Sequence, residues 1–199
     1  MPAILTMSQN AQDAGTAIAD VLFGDYNPGG RLVVTWPKSL DQLPPMMDYN
    51  LRRGRTYMYM KDEPLFPFGF GLSYTSFRYG SLKVNSSALA GNGEATISVD
   101  VENTGDRAGD EVVQLYVRHE RSAVIRPLKE LRGFQRVALK PHEKKTVQIK
   151  LKGESLAYWN ELTGKFVVEA EPVRVMVGAS SSDIRAETTL TVGASRQIQ

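Results

Sequence analysis

Residues 64–77 read PLFPFGFGLSYTSF and hold four of the chain's seven Phe beside two Pro and two Gly. Large groups fall at every second position (Phe66, Phe68, Phe70, Leu72, Tyr74), with Pro67, Gly69, Gly71 and Ser73 between them. An extended backbone therefore presents one bulky and one nearly bare face. Pro64 and Pro67 lack the amide donor that a central strand needs, and Gly69 and Gly71 permit backbone geometry closed to other residues. The stretch reads as a strap pressed against something, with Phe66, Phe68 and Phe70 buried and the two glycines lying where another backbone approaches or φ is positive.

The sequence on either side of the strap follows two grammars. Residues 3–36 read strand (AILT), helix (AQDAGTAIADVLFG) and strand (RLVVTW). Ala14, Ile18, Val21 and Leu22 recur at helical spacing, with Asn10 placed to cap the start and Gly24 the end. Leu32 to Trp36 suits a strand buried on both faces, with Trp36 in the core. One helix and two short strands cannot cover such a strand, so this part reads as the tail of a larger α/β domain. Beyond residue 80 the pattern is alternation broken by turns: Ile97, Val99, Val101; Val113, Leu115, Val117; Val147, Ile149, Leu151; Val173, Val175, Val177; Leu190, Val192. That pattern predicts a β-sandwich whose core is Val, Leu, Ile and Trp159. The fold class is therefore mainly β, a sandwich preceded by a partial α/β segment: 1–63 α/β remnant and irregular linker, 64–79 strap, 80–199 sandwich. The strap's aromatic face implies a packed joint and not a free tether.

Composition narrows the function classes. With 42% hydrophobic and 23% charged residues the chain is globular, and its 24 basic and 22 acidic residues are dispersed, which argues against a nucleic-acid partner. No apolar run approaches the ~20 residues of a membrane-spanning helix, and MPAILTMSQN lacks the features of a signal peptide, so no compartment is indicated. Zero Cys excludes disulfides and thiolate metal sites. His119 and His142 are too few for a His-built metal centre.

Three segments, GTAIADVLFGDYNPGGRLVVTWPKS (15–39), GRTYMYM (54–60) and PFGFGLSYTSF (67–77), resemble in order and spacing the carboxyl-terminal region of glycoside hydrolase family 3, the β-glucosidases and β-xylosidases. The remainder, with VENTGDRAGDEVVQLYV, PLKELRGFQRV and VRVMVGASSSDIR, is similar to that family's fibronectin type III-like domain. The resemblance implies a three-part retaining enzyme in which an Asp nucleophile and a second acidic group stand ~5 Å apart. It places the nucleophile in an upstream barrel and the acid/base Glu earlier in the α/β domain, so neither falls on a residue of this chain. It also implies the upstream barrel and α/β domain as partners, a possible carbohydrate ligand, and no cofactor. Thr6 to Gln12 stand where family members commonly carry a W-x-P-G-Q-E-type run.

The residues themselves offer no substitute catalytic set. Asp13, Asp20, Asp25, Asp41, Asp48, Asp62 and Glu63 are the acids of the α/β part and linker; Asp20 and Asp25 read as surface or turn acids, and adjacent Asp62 and Glu63 point to opposite faces. Neither His has a patterned Ser or Cys partner, so no triad is expected. Tyr57 and Tyr59 share a face if extended and could stack on a sugar, with Arg55 either bonding a hydroxyl or carboxylate or anchoring the linker. Asn85-Ser86-Ser87 fits a glycosylation pattern. The expected inventory is therefore no catalytic, cofactor-binding or metal residue, and the chain reads as structural support for an active site lying upstream. The alternative is a free-standing polysaccharide- or protein-binding module.

Overall fold

The computed structural model describes residues 4–7 and 12–193. Ten strands follow one helix: α1 (Ala14–Phe23), β1 (Phe77–Val84), β2 (Ala88–Leu89), β3 (Glu94–Asn103), β4 (Gly109–His119), β5 (Glu130–Leu139), β6 (Lys144–Lys152), β7 (Tyr158–Asn160), β8 (Lys165–Val167), β9 (Pro172–Gly178) and β10 (Ile184–Val192). Strands β1-β3-β6 make one sheet, β2-β10-β9-β4-β5 a second, and β7-β8 a separate hairpin. All pairings are antiparallel except the short parallel contact of β2 with β10.

Alternation explains the core. Ile97, Val99 and Val101 on β3 face Ile149 and Val147 on β6, and together with Val113, Leu115, Val117, Val173, Val175, Val177, Leu190 and Val192 they form one buried cluster between the two sheets. The outward residues of β3 and β6 are polar and carry ion pairs such as Lys144–Asp100 and Lys150–Glu94. Strand β4 departs from this rule. Gln114 and Tyr116, on its outer face, are as buried as Leu115 between them, because the strap and linker lie over that face.

The amino-terminal part departs further from expectation. Helix α1 forms and ends on Gly24 in the left-handed conformation (φ 86), but it has no fully buried residue. Its N-cap is Asp13, without a side-chain cap bond, while the expected cap Asn10 lies outside the described residues. Ile4 to Thr6 form no strand, and Ala3 lies outside the described residues. The run 31–36 is not a strand buried on both faces: Val33 is 77% and Val34 54% exposed. Among the described residues its backbone pairs only with the strap, in bonds that include Leu32 N to Phe70 O (2.8 Å), Gly69 N to Leu32 O (2.7 Å) and Trp36 N to Phe66 O (2.9 Å). Pro67 and the glycines keep this ribbon from becoming a regular ladder.

Both tryptophans correct the core assignment. Trp36 is 40% exposed and meets Phe66 edge-on; Trp159 is 52% exposed and packs on its cross-strand neighbour Phe166 in the β7-β8 hairpin. An isolated two-stranded hairpin has no core of its own, so its large rings pair with each other across the strands.

Candidate functional site at the strap junction

The strap is extended and lies over the outer face of the second sheet. Gly69 adopts φ +81, and a Cβ there would overlap the Gln114 side-chain amide. Instead the Gln114 amide donates to Gly69 O (3.1 Å) and Ala179 O (2.6 Å), while Tyr116 OH donates to its carbonyl oxygen (2.6 Å). Every polar atom of this buried side chain is thereby satisfied, as burial requires. A Cβ on Gly71 would overlap Gly30 O and the Arg31 side chain, so both glycines stand where a close approach requires them.

The aromatic face works as read for its first half only. Phe68 stacks on Tyr57 (4.5 Å, 18°), Tyr57 meets Tyr116 edge-on, and Phe66 stacks on Phe70 (5.4 Å). All three Phe are partly buried and none completely. After Gly71 the alternation inverts, so Leu72 and Tyr74 face outward, and Asn27 takes over by bonding Ser73 Oγ and accepting from Tyr74 N.

Beneath the strap lies a charged floor. Arg31 on the linker side pairs with Glu111 of β4 at 3.2 Å, their side chains only 10% and 4% exposed, and Tyr79 OH donates to the same carboxylate at 3.2 Å. Burial raises the Glu111 carboxyl above the ordinary range despite the adjacent guanidinium, and burial together with Glu111 raises the Tyr79 phenol. Glu111 and Tyr79 carry no sequence signal for this pairing, because their partner Arg31 is 80 residues from Glu111 along the chain.

The acids weighed as candidates do not come together. Asp48 pairs with Arg53 (3.0 Å) and accepts from Asn50 N, and Glu63 pairs with Lys38 at the surface (2.7 Å). Asp13, Asp25, Asp41 and Asp62 are exposed and Asp20 lies half-buried on α1. Arg55 anchors the linker by donating to the carbonyls of Pro45, Met46 and Asp48. Tyr57 and Tyr59 lie in a turn and not in an extended segment, and Tyr57 faces the strap. Asn85 sits in the exposed turn after β1 and accepts from Thr96 N.

Sequence reading missed one cluster. His119, Glu169 and Glu171 bring ligand-type atoms within 4.8 Å of one another. Their atoms are already spent: His119 Nδ1 bonds Glu171 (2.7 Å), its Nε2 meets the Arg126 guanidinium (2.5 Å), and Glu169 accepts from Ser122 Oγ and Ala123 N. A guanidinium against the ring suits a brace for the 120–129 loop and opposes a metal cation. Since Arg126 can only donate, His119 is neutral with its proton on Nδ1, and burial holds its pKa below the ordinary value. His142 pairs at the surface with Asp106.

Comparison with known proteins covers nearly the whole chain. The model described as Glycosyl hydrolase family 3 C-terminal domain matches residues 1–74, and that described as Fibronectin type III-like domain matches residues 111–181. A Beta-xylosidase of Formosa agariphila is 45% identical over 197 residues, covering 96% of this chain and 27% of the relative. A Periplasmic beta-glucosidase of Salmonella typhimurium is 40% identical, covering 87% and 24%. Among solved structures, a Beta-D-glucoside glucohydrolase from Trichoderma reesei superposes with a TM-score of 0.84 at 35% identity, over 92% of this chain and 29% of that one. The chain thus spans about a quarter of the length of the relatives it matches.

Proposed function

Because this chain belongs to glycoside hydrolase family 3, of which it carries the carboxyl-terminal region with the fibronectin type III-like domain, we propose that it acts as the supporting part of a β-glycosidase whose catalytic carboxyl groups lie elsewhere in the longer polypeptide. The parent activity is hydrolysis of a β-glucoside or β-xyloside, the two activities that name the relatives. The observation that carries the reading is the outward apolar surface of the first fifty residues. Leu22, Phe23, Val33, Val34, Leu40, Met46 and Met47 are exposed, whereas the side chains of the sandwich core, such as Val99, Leu115 and Val175, are sealed. Exposed apolar side chains concentrated in one segment are what a contact buried in the working protein would cover. The rest of the enzyme, its barrel and the body of the α/β domain, is the partner that covers it, with residues 64–79 as the joint and 80–199 as the outer module.

On this reading the purified chain hydrolyses neither aryl β-glucosides nor aryl β-xylosides. Turnover that survives rigorous purification and exceeds a buffer blank overturns it. The self-contained core of the sandwich supports a second reading, a free-standing binding module. Barrel sequence encoded in frame before Met1 favours the first reading, and a stop codon there the second.

A further inference from the structure

One lysine is set apart from the others. Lys129 alone among the described lysines is not exposed. It lines an open cavity of ≈ 330 Å³ between the linker and the sandwich, with Tyr57, Met60 and Pro64 on one side and Leu128 and Ser181 on its own. Lys38, Lys144, Lys145 and Lys150 each reach a carboxylate. The Lys129 ammonium instead donates to the carbonyl oxygen of Ser181, and no acid among the described residues compensates its charge. Strand register accounts for this isolation. Val117 of β4 stands opposite Glu130 of β5, so Arg118 and Lys129 are the next residues outward and share a face of the sheet. Glu130, beside Lys129 in sequence, is taken by Arg132 at 2.8 Å. From the linker, Lys61, Asp62 and Glu63 stand exposed at the cavity's mouth, and Glu63 is tied to Lys38. Burial, and after it the like charge of Arg118, lower the Lys129 pKa and so favour the neutral amine.

We propose that Lys129 is a modification site, a nucleophilic amine that takes a small acyl group from an acyl phosphate. The amine, having lost one proton to water, attacks the carbonyl carbon of the donor. A C–N bond forms as the C–O bond to phosphate breaks, phosphate leaves with that electron pair, and the nitrogen gives up a second proton to water. The amide product suits the cavity better than the ammonium does. It keeps one N–H for the Ser181 carbonyl, removes a charge that no carboxylate balances, and brings a methyl group to a wall that includes Met60, Pro64 and Leu128. Methylation is a poorer fit, because it would keep the charge. The cavity lies wholly on this chain, so its test is independent of the support role argued above.

The test is acetylation of the intact chain by acetyl phosphate at neutral pH, with the occupancy of each lysine followed over time by peptide mass mapping. Lys129 is expected to react at least about threefold faster than the exposed Lys83, Lys140 and Lys152. That preference should vanish in concentrated urea, where every lysine is equally solvated. Arg118→Gln, at an exposed position, removes the neighbouring cation and should reduce the preference, with circular dichroism checking that the variant is folded. Reaction of Lys129 no faster than the exposed lysines in the folded parent overturns the proposal. So does a preference that persists in urea, or one that a folded Arg118→Gln variant retains in full.

Discussion

Val33 and Val34 stand in a near-continuous apolar run and Val99 and Val101 in an alternating one, yet the first pair is largely exposed and the second pair is sealed. The difference lies in the layers around them. Val99 has β1 and β6 beside it and the second sheet against it. Among the described residues, the backbone of 32–36 pairs only with the strap, and Thr35 Oγ1 accepts from Tyr57 N of the linker. An apolar run therefore specifies the demand for burial, while the supply depends on whether a second layer is present.

That contrast should appear as differing sensitivity to substitution. The largest effect is expected in the sandwich: Leu115→Ala, at a fully buried site, should cost ~2–5 kcal/mol, whereas Val33→Ala should leave the denaturant midpoint of the chain unmoved. Equal shifts would erase the distinction between the two regions. Amide exchange sharpens it without mutation. Residues 14–36 should exchange fast and β3, β4 and β9 slowly, and uniform protection in a monomer would show that the amino-terminal part is as stable as the sandwich.

The junction should fall between these extremes. Phe68 is partly buried, so Phe68→Ala should cost ~2 kcal/mol, below the ~3–5 kcal/mol of a fully buried Phe. Gly69→Val should cost at least as much although it removes no apolar area, because φ is +81 and Gln114 occupies the space a side chain would need. Midpoints unchanged in both variants would mean that the strap is a loose tether.

A smaller effect separates two groups on β4, Glu111 near the strap and His119 at the strand's end, by the sign of their pH dependence. His119, faced by Glu171, Glu130 and Arg126 with Glu169 nearby, has its pKa lowered in the folded chain, chiefly by burial. The unfolded chain therefore takes the proton first, and this stability, present above about pH 6.5, is lost as pH falls toward the folded value. Glu111 at the junction is shifted the opposite way, so the folded chain takes the proton first. Its contribution is fully present below about pH 4.5 and is lost as pH rises through the folded value. Stability–pH curves of His119→Gln and Glu111→Gln should each lose one of these slopes, and curves parallel to the parent would refute the assignment. At the surface, Lys38→Ala should leave the midpoint unchanged, since the ion pair with Glu63 is exposed.

The parts legible in the sequence were those set by local rules. Period-two alternation located β3, β6, β9 and β10, and Gly24 marked the end of the helix. Gly69 and Gly71 announced a close approach, although the sequence did not show that Gln114 and Gly30 were the neighbours. The misplaced elements depend on what is packed around them. Trp159 looked like core because large rings usually are, and it pairs with Phe166 because its hairpin stands apart from both sheets. The outward turn of Leu72 and Tyr74 follows from the Asn27 contacts with Ser73 and Tyr74 across 46 and 47 residues, a pairing with no local signature. Separations of 80 and 52 residues likewise hid the Arg31–Glu111 pair and the His119–Glu171 brace.

Gln114 has one further consequence. Its amide end donates twice and its carbonyl end accepts from Tyr116, so turning the group over would set oxygen against two carbonyls and an amino group against the hydroxyl as now oriented. The strap therefore has a keyed position: shifting it by one residue would replace Gly69 at the lock with a phenylalanine, for which there is no room. A pull on the linker would reach β4, which has hydrogen-bonded neighbours on both sides, and not a sheet edge that could peel away. Under load the joint should hold its angle and then give way in a single step.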